Sequence, residues 1–345
     1  MNRPDFRTIS DFRKRHLSAL ADLFLQVLLL CRAAGLVRLG HVAIDGTKLK
    51  ANASRHKAMS YARMQQAETK LASQVANWFK IAEHHDTEED TEYGSRRGDE
   101  MPAWVKTKQQ RLDRIRAAKS AVEAEARQRP GMADPDGPGP SSGMQACGRP
   151  NRSSDGGPPD RAQRNFTDPD RRVLPTRDGF IAGYNGQLAV DAENQIIVSH
   201  RLITNSGDVS GLIPLVDAAS LALGRKPIEI SADNGFASEA NLEALAERCV
   251  RAYLACRRGR RRDEPETTSR RLKKQPRMMA MAAKIKRSGY RSRYRLRKQV
   301  VEPVIGQIKQ ARGFRQFLLR GLEKVRAEWA LVCTAHNLLK LAGSR

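Results

Sequence analysis

Aromatic side chains are scarce in this chain of 345 residues, making up 5% of it. Hydrophobic residues at 40% can still build a core, but so few large rings imply that part of the chain stays unpacked. The five cysteines (Cys31, Cys147, Cys249, Cys256 and Cys333) are scattered, and no Cys-x-x-Cys pair occurs. Neither a zinc site nor a disulfide framework is supported, and reduced thiols in a cytosolic protein are the simplest account. Long apolar runs are missing too. The longest, Leu23-Phe-Leu-Gln-Val-Leu-Leu-Leu-Cys31, is too short to span a bilayer. It follows several charges and lacks a small-residue cleavage site, so it does not read as a signal peptide. There is no Walker-type glycine loop and no Gly-x-Ser-x-Gly elbow, which counts against nucleotide hydrolysis and acyl transfer. The last shortage is of acids. Against 62 lysines and arginines stand 38 carboxylates, giving +24 and a pI near 10.4. That excess argues for a polyanionic partner, nucleic acid before an anionic membrane, and says nothing about fold. A merely basic soluble protein is the plain alternative.

What is present falls into blocks. Thr8 to Ala34 reads as a helix, capped by Thr8 or Ser10 and stopped by Gly35. Leu39 to Ala51 begins with a short alternating strand, Val42 to Ile44, that ends at Asp45-Gly46. Ala58 to His85 and Trp104 to Arg127 are helical patterns joined by an acidic link, Asp86 to Glu100, and read as a hairpin. Between Arg129 and Arg164 there are 14 glycines or prolines and almost no large apolar residues. Such a stretch buries too little surface to offset its ordering entropy and is expected to be disordered.

Regular structure is expected again from about Gly179. Tyr184–Asp191 and Gln195–Leu202 form a hairpin, Asp208–Leu223 a helix stopped by Gly224, and Pro227–Gly235 a strand ending at Asp233. Ser238 caps a helix from Glu239 to Arg248, and Val250–Cys256 is another strand. Arg257 to Arg291 is densely basic and reads as a mobile connection or a nucleic-acid contact. Gly321 to Leu341 is a packing helix. His41, His200 and His336 sit in or beside apolar patterns and read as structural.

Three acids draw attention. Asp45 and Asp233 each end a strand, and Asp-Gly or Asn-Gly turns explain either one alone. Glu302 lies among cations on a helical pattern, with Lys298 four residues before it and Lys309 seven after. Arg291 and Arg295 extend that basic stripe. Ordinary solvated ion pairs explain Glu302 by itself. Hairpin strands, a helix, a strand ending in Asp and a late helix bearing Glu follow the order of a ribonuclease-H-like α/β fold, a mixed sheet flanked by helices. Three carboxylates suit two hard divalent cations such as Mg²⁺ or Mn²⁺. In two-metal sites the ions sit ~3.5–4 Å apart and serve an in-line displacement.

The segments Val42-Ala-Ile-Asp45-Gly-Thr-Lys, Ala232-Asp233-Asn-Gly-Phe and Tyr294–Lys309 together resemble a bacterial insertion-sequence DDE transposase, of the branch with a C-terminal Tyr-Arg-Glu-Lys-type signature. The resemblance runs from Arg3 to about Leu341. It implies Asp45, Asp233 and Glu302 as catalytic metal ligands. It also implies contacts to DNA from Lys298, Lys309, Tyr294 and Arg295, with Arg257–Arg262 as a further phosphate grip. Two positions depart from the pattern. Lysine stands at 298, which keeps the charge but loses bidentate phosphate binding, and Tyr294 is eight residues before Glu302 rather than seven. Pro303 predicts a helix start or a kink next to Glu302.

The implied activity is Mg²⁺-dependent cleavage and strand transfer at insertion-sequence ends, with Mn²⁺ as substitute. Double-stranded DNA, both element ends and target, is the partner, with a homodimer on paired ends, in the nucleoid of a bacterial cytoplasm. A nuclease that cuts without joining and an inactive DNA-binding remnant are the alternatives. Residues 1–38 are expected as an N-terminal helix left from a truncated DNA-binding region. Residues 39–57 and 166–345 would be the catalytic domain, 58–128 the helical insertion and 129–165 the linker.

Overall fold

The computed structural model describes residues 5–53, 58–92, 103–127, 157–160, 162–176, 179–256, 275–288 and 293–344. It divides into two compact units, Met1–Asn52 with Asp170–Arg345, and Ala53–Pro169. Along the chain the elements are α1 (Phe6–Arg15), α2 (Leu17–Ala33), β1 (His41–Lys50), β2 (Ala58–Ser60), α3 (Tyr61–Glu92), α4 (Ala103–Arg127), β3 (Gln163–Asn165), β4 (Arg172–Thr176), β5 (Gly179–Asp191) and β6 (Ile197–Ile203). They continue with α5 (Leu212–Leu223), β7 (Glu229–Ala232), α6 (Glu239–Glu247), β8 (Arg251–Leu254), α7 (Pro276–Ser288), α8 (Leu296–Gly306) and α9 (Leu322–Ala342). No single helix among the described residues is long and apolar enough to cross a membrane.

The smaller unit is a helix pair. Met64, Ile115 and Ala118 bury together, with Leu71 packed beside them, because their i, i+3 and i+4 spacings line one face of α3 and α4. Glu68 accepts from both Arg116 and Lys119, at 3.1 and 2.9 Å, across the pair. Helical structure was expected from Ala58, yet Ala58–Ser60 pairs antiparallel with Gln163–Asn165. The end of the expected disordered stretch therefore forms a strand, while residues 129–156 lie outside the described residues. The expected acidic link is helical from Asp86 to Glu92, and residues 93–100 fall outside the description.

The larger unit is α/β, with a mixed sheet flanked by helices. Its six strands run in the order β4-β5-β1-β7-β8, with β6 also on β5. The long β5 serves two partners on one edge, β4 against Gly179–Gly183 and β6 against Asn185–Val190. On its other edge it pairs antiparallel with β1, whose own far edge pairs parallel with β7. From Gly183 to Asp191 every residue of β5 is buried or nearly so, since helices cover both faces and no solvent-facing alternation remains. Trp329 of α9 lies 3.0 Å from the point a side chain at Gly186 would occupy, so glycine there lets the ring seat on the sheet.

In the larger unit the first helix, the end of β1 and the basic segment differ from the sequence expectation. The first helix is broken at His16 (φ −113°, ψ 35°), where the cations Arg13, Lys14 and Arg15 crowd the end of α1 and favour a helix C-terminus. α2 packs on α9 and contributes Leu28 and Cys31 to the same core as the sheet. β1 does not end at Asp45-Gly46 but continues to Lys50, because five further residues find partners on β5. The segment expected as a mobile basic connection contains α7, with Met278 buried against the core and Arg277 paired to Glu243; residues 257–274 and 289–292, which include Arg257–Arg262 and Arg291, lie outside the described residues.

Pro303 sits inside α8, neither starting nor breaking it. Proline at this point removes the donor that would serve the carbonyl of Gln299. The Gln195 side chain supplies a replacement, its Nε2 donating to Gln299 O at 3.2 Å.

Candidate active site

Register brings two of the three acids together. Ile44 faces Ala232 in the last parallel pair of β1 and β7. The next residue on each chain is Asp45 and Asp233. Asp45 is held mid-strand opposite Leu188 of β5. Asp233 follows the end of β7 and caps a 3₁₀ turn, its Oδ1 accepting from Gly235 N at 2.9 Å. The turn chemistry proposed for Asn234-Gly235 is therefore present and fixes the aspartate.

The third acid comes from α8, which packs on β1, β5 and β7. Val301 and Val304 are buried along its inner face, and Ile308 is buried in the π-helical turn (Gln307–Ala311) that follows it. Arg297 precedes Val301 by four and so belongs to the same stripe. That placement drives a guanidinium into the site. Arg297 Nη1 donates to Asp45 Oδ2 and Nη2 donates to Glu302 Oε1 at 3.4 Å. The Arg297 side chain is 11% exposed and that of Asp45 14%, whereas Glu302 is 49% exposed at the rim. Arg297, five residues before the glutamate, is not among the cations expected at the site from sequence, where Lys298 holds the position four before it. The i, i+4, i+7 match of Arg297, Val301 and Val304 was the available signal.

Burial raises the Asp45 pKa to about 7 despite the neighbouring Arg297, with Asp233 and Asp208 adding repulsion and the Gly46 N–H opposing it. For Arg297 burial acts to lower the pKa, but Asp45 and the other surrounding groups, Asp233 and Glu302 among them, outweigh it.

Asp208 is a neighbour that the sequence did not mark. Its Oδ1 accepts from Asn185 Nδ2 at 2.7 Å and Gln187 Nε2 at 2.8 Å. A side chain at Gly46 would meet that Oδ1 at 2.6 Å; one at Gly235 would lie 3.1 Å from both Asp208 Oδ2 and Asp233 Oδ1. Glycine at 46 and 235 thus leaves room for a carboxylate wedged beside both aspartates. Burial raises the Asp208 pKa, the two amide donors lower it, and Asp233 raises it further. Asp191 shows the contrast: it too ends a strand, but it spends its oxygens on the backbone N–H groups of Leu39, Arg38 and Glu193.

The expected DNA contacts are placed differently from one another. Lys298 is exposed on α8 and Arg295 is exposed at its N-cap. The Arg297 guanidinium lies 5.9 Å from the Tyr294 ring centroid. Lys309 points inward and donates to the carbonyl of Lys48 at 3.1 Å; burial lowers its pKa. His41, His200 and His336 are all turned into the core: His41 lies between Glu229 (3.0 Å) and Ser231 (2.9 Å), and burial pushes His200 and His336 down to about 4.

Donor chemistry fits a hard divalent cation, since Asp45, Asp233, Asp208 and Glu302 offer oxygen alone. Buried acceptors left without a donor, Asn185 Oδ1 and Gln187 Oε1, line the same corner. Among the described residues no three Asp, Glu, His or Cys side chains are grouped to hold one ion.

No curated protein matches the chain. Residues 243–342, which carry Glu302, Lys309 and the inner stripe of α8, match the family model described as a transposase DDE domain, and that part of the chain is similar to a DDE transposase.

Proposed function

We propose that this chain is a DNA transposase with a ribonuclease-H-like catalytic unit, cutting and joining strands at insertion-sequence ends with Asp45, Asp233 and Glu302 as metal ligands. The observation that carries the reading is one geometric fact. The β1–β7 register sets Asp45 beside Asp233, and one guanidinium ties Asp45 to the Glu302 of a segment matching a transposase DDE domain. Mg²⁺ or Mn²⁺ bound by these acids would act as a Lewis acid toward the oxygens of an in-line phosphoryl displacement.

The chain's own residues do the rest. Asp45 is fixed by a strand paired on both edges, so its carboxylate is pre-positioned. Asp233 is fixed by its turn. Glu302, exposed on a helix rim, has the freedom to turn inward. Lys298, Arg295 and Tyr294 on the same helix end face a duplex lying over the site, and their phosphate contacts would weaken steeply with salt. Double-stranded DNA is the substrate and a homodimer on paired ends the working assembly, in the nucleoid of a bacterial cytoplasm.

Labelled duplexes test this, one intact and one pre-nicked with a free 3′-hydroxyl, incubated with the protein and Mg²⁺. Cleavage of the first and joining of the second support transposition. Cleavage without joining leaves a nuclease, and binding with neither leaves an inactive remnant.

A further inference from the structure

We propose that Arg297 is the resident cation of the carboxylate site, holding Asp45 and Glu302 in the metal-free chain, and that a divalent ion enters only as Arg297 leaves. The inference rests on the reading of Asp45, Asp233 and Glu302 as cation ligands and adds a control on their loading.

Placement supports it first. The guanidinium contacts Asp45 on one side and Glu302 on the other, and Asp233 is among the acids that favour its charge. A hard cation serving the three acids needs the same volume and the same lone pairs. Arg297 and the ion are therefore competitors, not neighbours.

Incomplete satisfaction supports it second. A buried arginine normally engages most of its five donors. Here Nε is buried without a partner among the described residues. A permanent structural arginine would be expected to satisfy that donor. The present arrangement holds the group by charge at one end, which a doubly charged ion can displace.

The exit supports it third. Arg297 lies in the first turn of α8, next to Tyr294, whose ring is 5.9 Å away, and to the exposed Arg295 and Lys298. A rotamer change carries the guanidinium toward that exposed helix start, where a nucleic-acid phosphate offers bidentate acceptance. DNA would then draw Arg297 off the acids and open them to metal. Metal loading and DNA binding become linked, and the linkage is reciprocal.

The test is Mn²⁺ binding by the full chain, read as loss of the free-ion electron paramagnetic resonance signal, with and without a short duplex. Arg297→Ala should bind Mn²⁺ roughly ten-fold more tightly than the parent without DNA. The duplex should tighten the parent toward the variant and leave the variant unchanged. Arg297→Lys, with the charge kept but the fork lost, should fall between the two.

Equal or weaker Mn²⁺ binding by a folded Arg297→Ala overturns the proposal, as does a duplex effect of the same size in parent and variant. Should Arg297→Ala not fold, Arg297→Lys decides: affinity no tighter than the parent's overturns the proposal. The underlying reading fails differently, by Mn²⁺ binding that Asp45→Asn and Glu302→Gln leave untouched.

Discussion

Arg297 on α8 bonds to Asp45, 252 positions earlier on β1, and to Glu302, five positions later on its own helix. One side chain therefore ties the strand half of the site to the helix half. It also makes the electrostatics of the site measurable.

The first prediction concerns pH. Asp45 has a folded pKa near 7, against about 3.9 for an unperturbed aspartate. A raised carboxyl contributes stability that is complete below the lower value and is lost as pH climbs through the higher one. Asp45→Asn should flatten that loss. Urea unfolding of parent and variant should diverge between pH 4 and pH 8, with the variant ahead at pH 8 by about 1–3 kcal/mol.

Gly183 tests the strand that carries Asp45. A Cβ there would sit 2.0 Å from the carbonyl oxygen of Leu49 and 3.2 Å from Lys50 Cα. Backbone cannot yield as a flexible side chain does. Gly183→Ala should destabilise by about 1–3 kcal/mol or more, seen as a lower denaturation midpoint, and should weaken Mn²⁺ binding by displacing β1.

Asn337 anchors α9 to the sheet. Its Oδ1 accepts from Ile197 N and its Nδ2 donates to Ile197 O, each at 2.9 Å, and the side chain is fully buried. Asn337→Ala strands a buried N–H and a buried carbonyl together. The expected cost is about 2–4 kcal/mol, measured by equilibrium urea unfolding. A cost under ~1 kcal/mol would show that water reaches the edge of β6.

Asp208→Ala should take the carboxylate acceptor from the fully buried side-chain amides of Asn185 and Gln187, leaving Gln187 only the long contact to the backbone carbonyl of residue 208 at 3.5 Å. A loss of about 1–3 kcal/mol follows. Because Asp208 touches the surroundings of Gly46 and Gly235, Mn²⁺ affinity should fall as well, and an unchanged affinity would limit Asp208 to a structural role.

Much of the larger unit was legible from local pattern, and the exceptions turn on a pairing partner. Gly224 stops α5 with φ +64°, and Ser238 Oγ accepts from Asn241 N at 3.0 Å, both read directly from capping rules. Gly46-Thr-Lys, by contrast, looks like a turn and is strand, because β5 is long enough to pair beyond Asp45. β4, with Pro175 next to its end, was invisible to a rule that demotes proline in strands. Pro303 was tolerated because Gln195, far away in sequence, serves the orphaned carbonyl. Asp45–Lys50 and Pro303 were decided by partners distant in the chain, whereas β4 was decided by the neighbouring β5, which pairs with it in spite of Pro175.

The site divides the same way. Asp45 and Asp233 are adjacent through register, a property of two strands that pattern alone locates only roughly. Asp208, in the run Asn205-Ser-Gly-Asp208, reads as an ordinary helix entrance. Its importance appears only where Gly46, Gly235, Asn185 and Gln187 meet it.

The most direct measurement is strand cleavage of a duplex carrying the element's own ends, with Mg²⁺, by the parent and by Asp45→Asn, Asp233→Asn and Glu302→Gln. The carboxylate account predicts cleavage by the parent and its loss in all three folded variants, with DNA binding retained. Cleavage that survives in any one of them would contradict it.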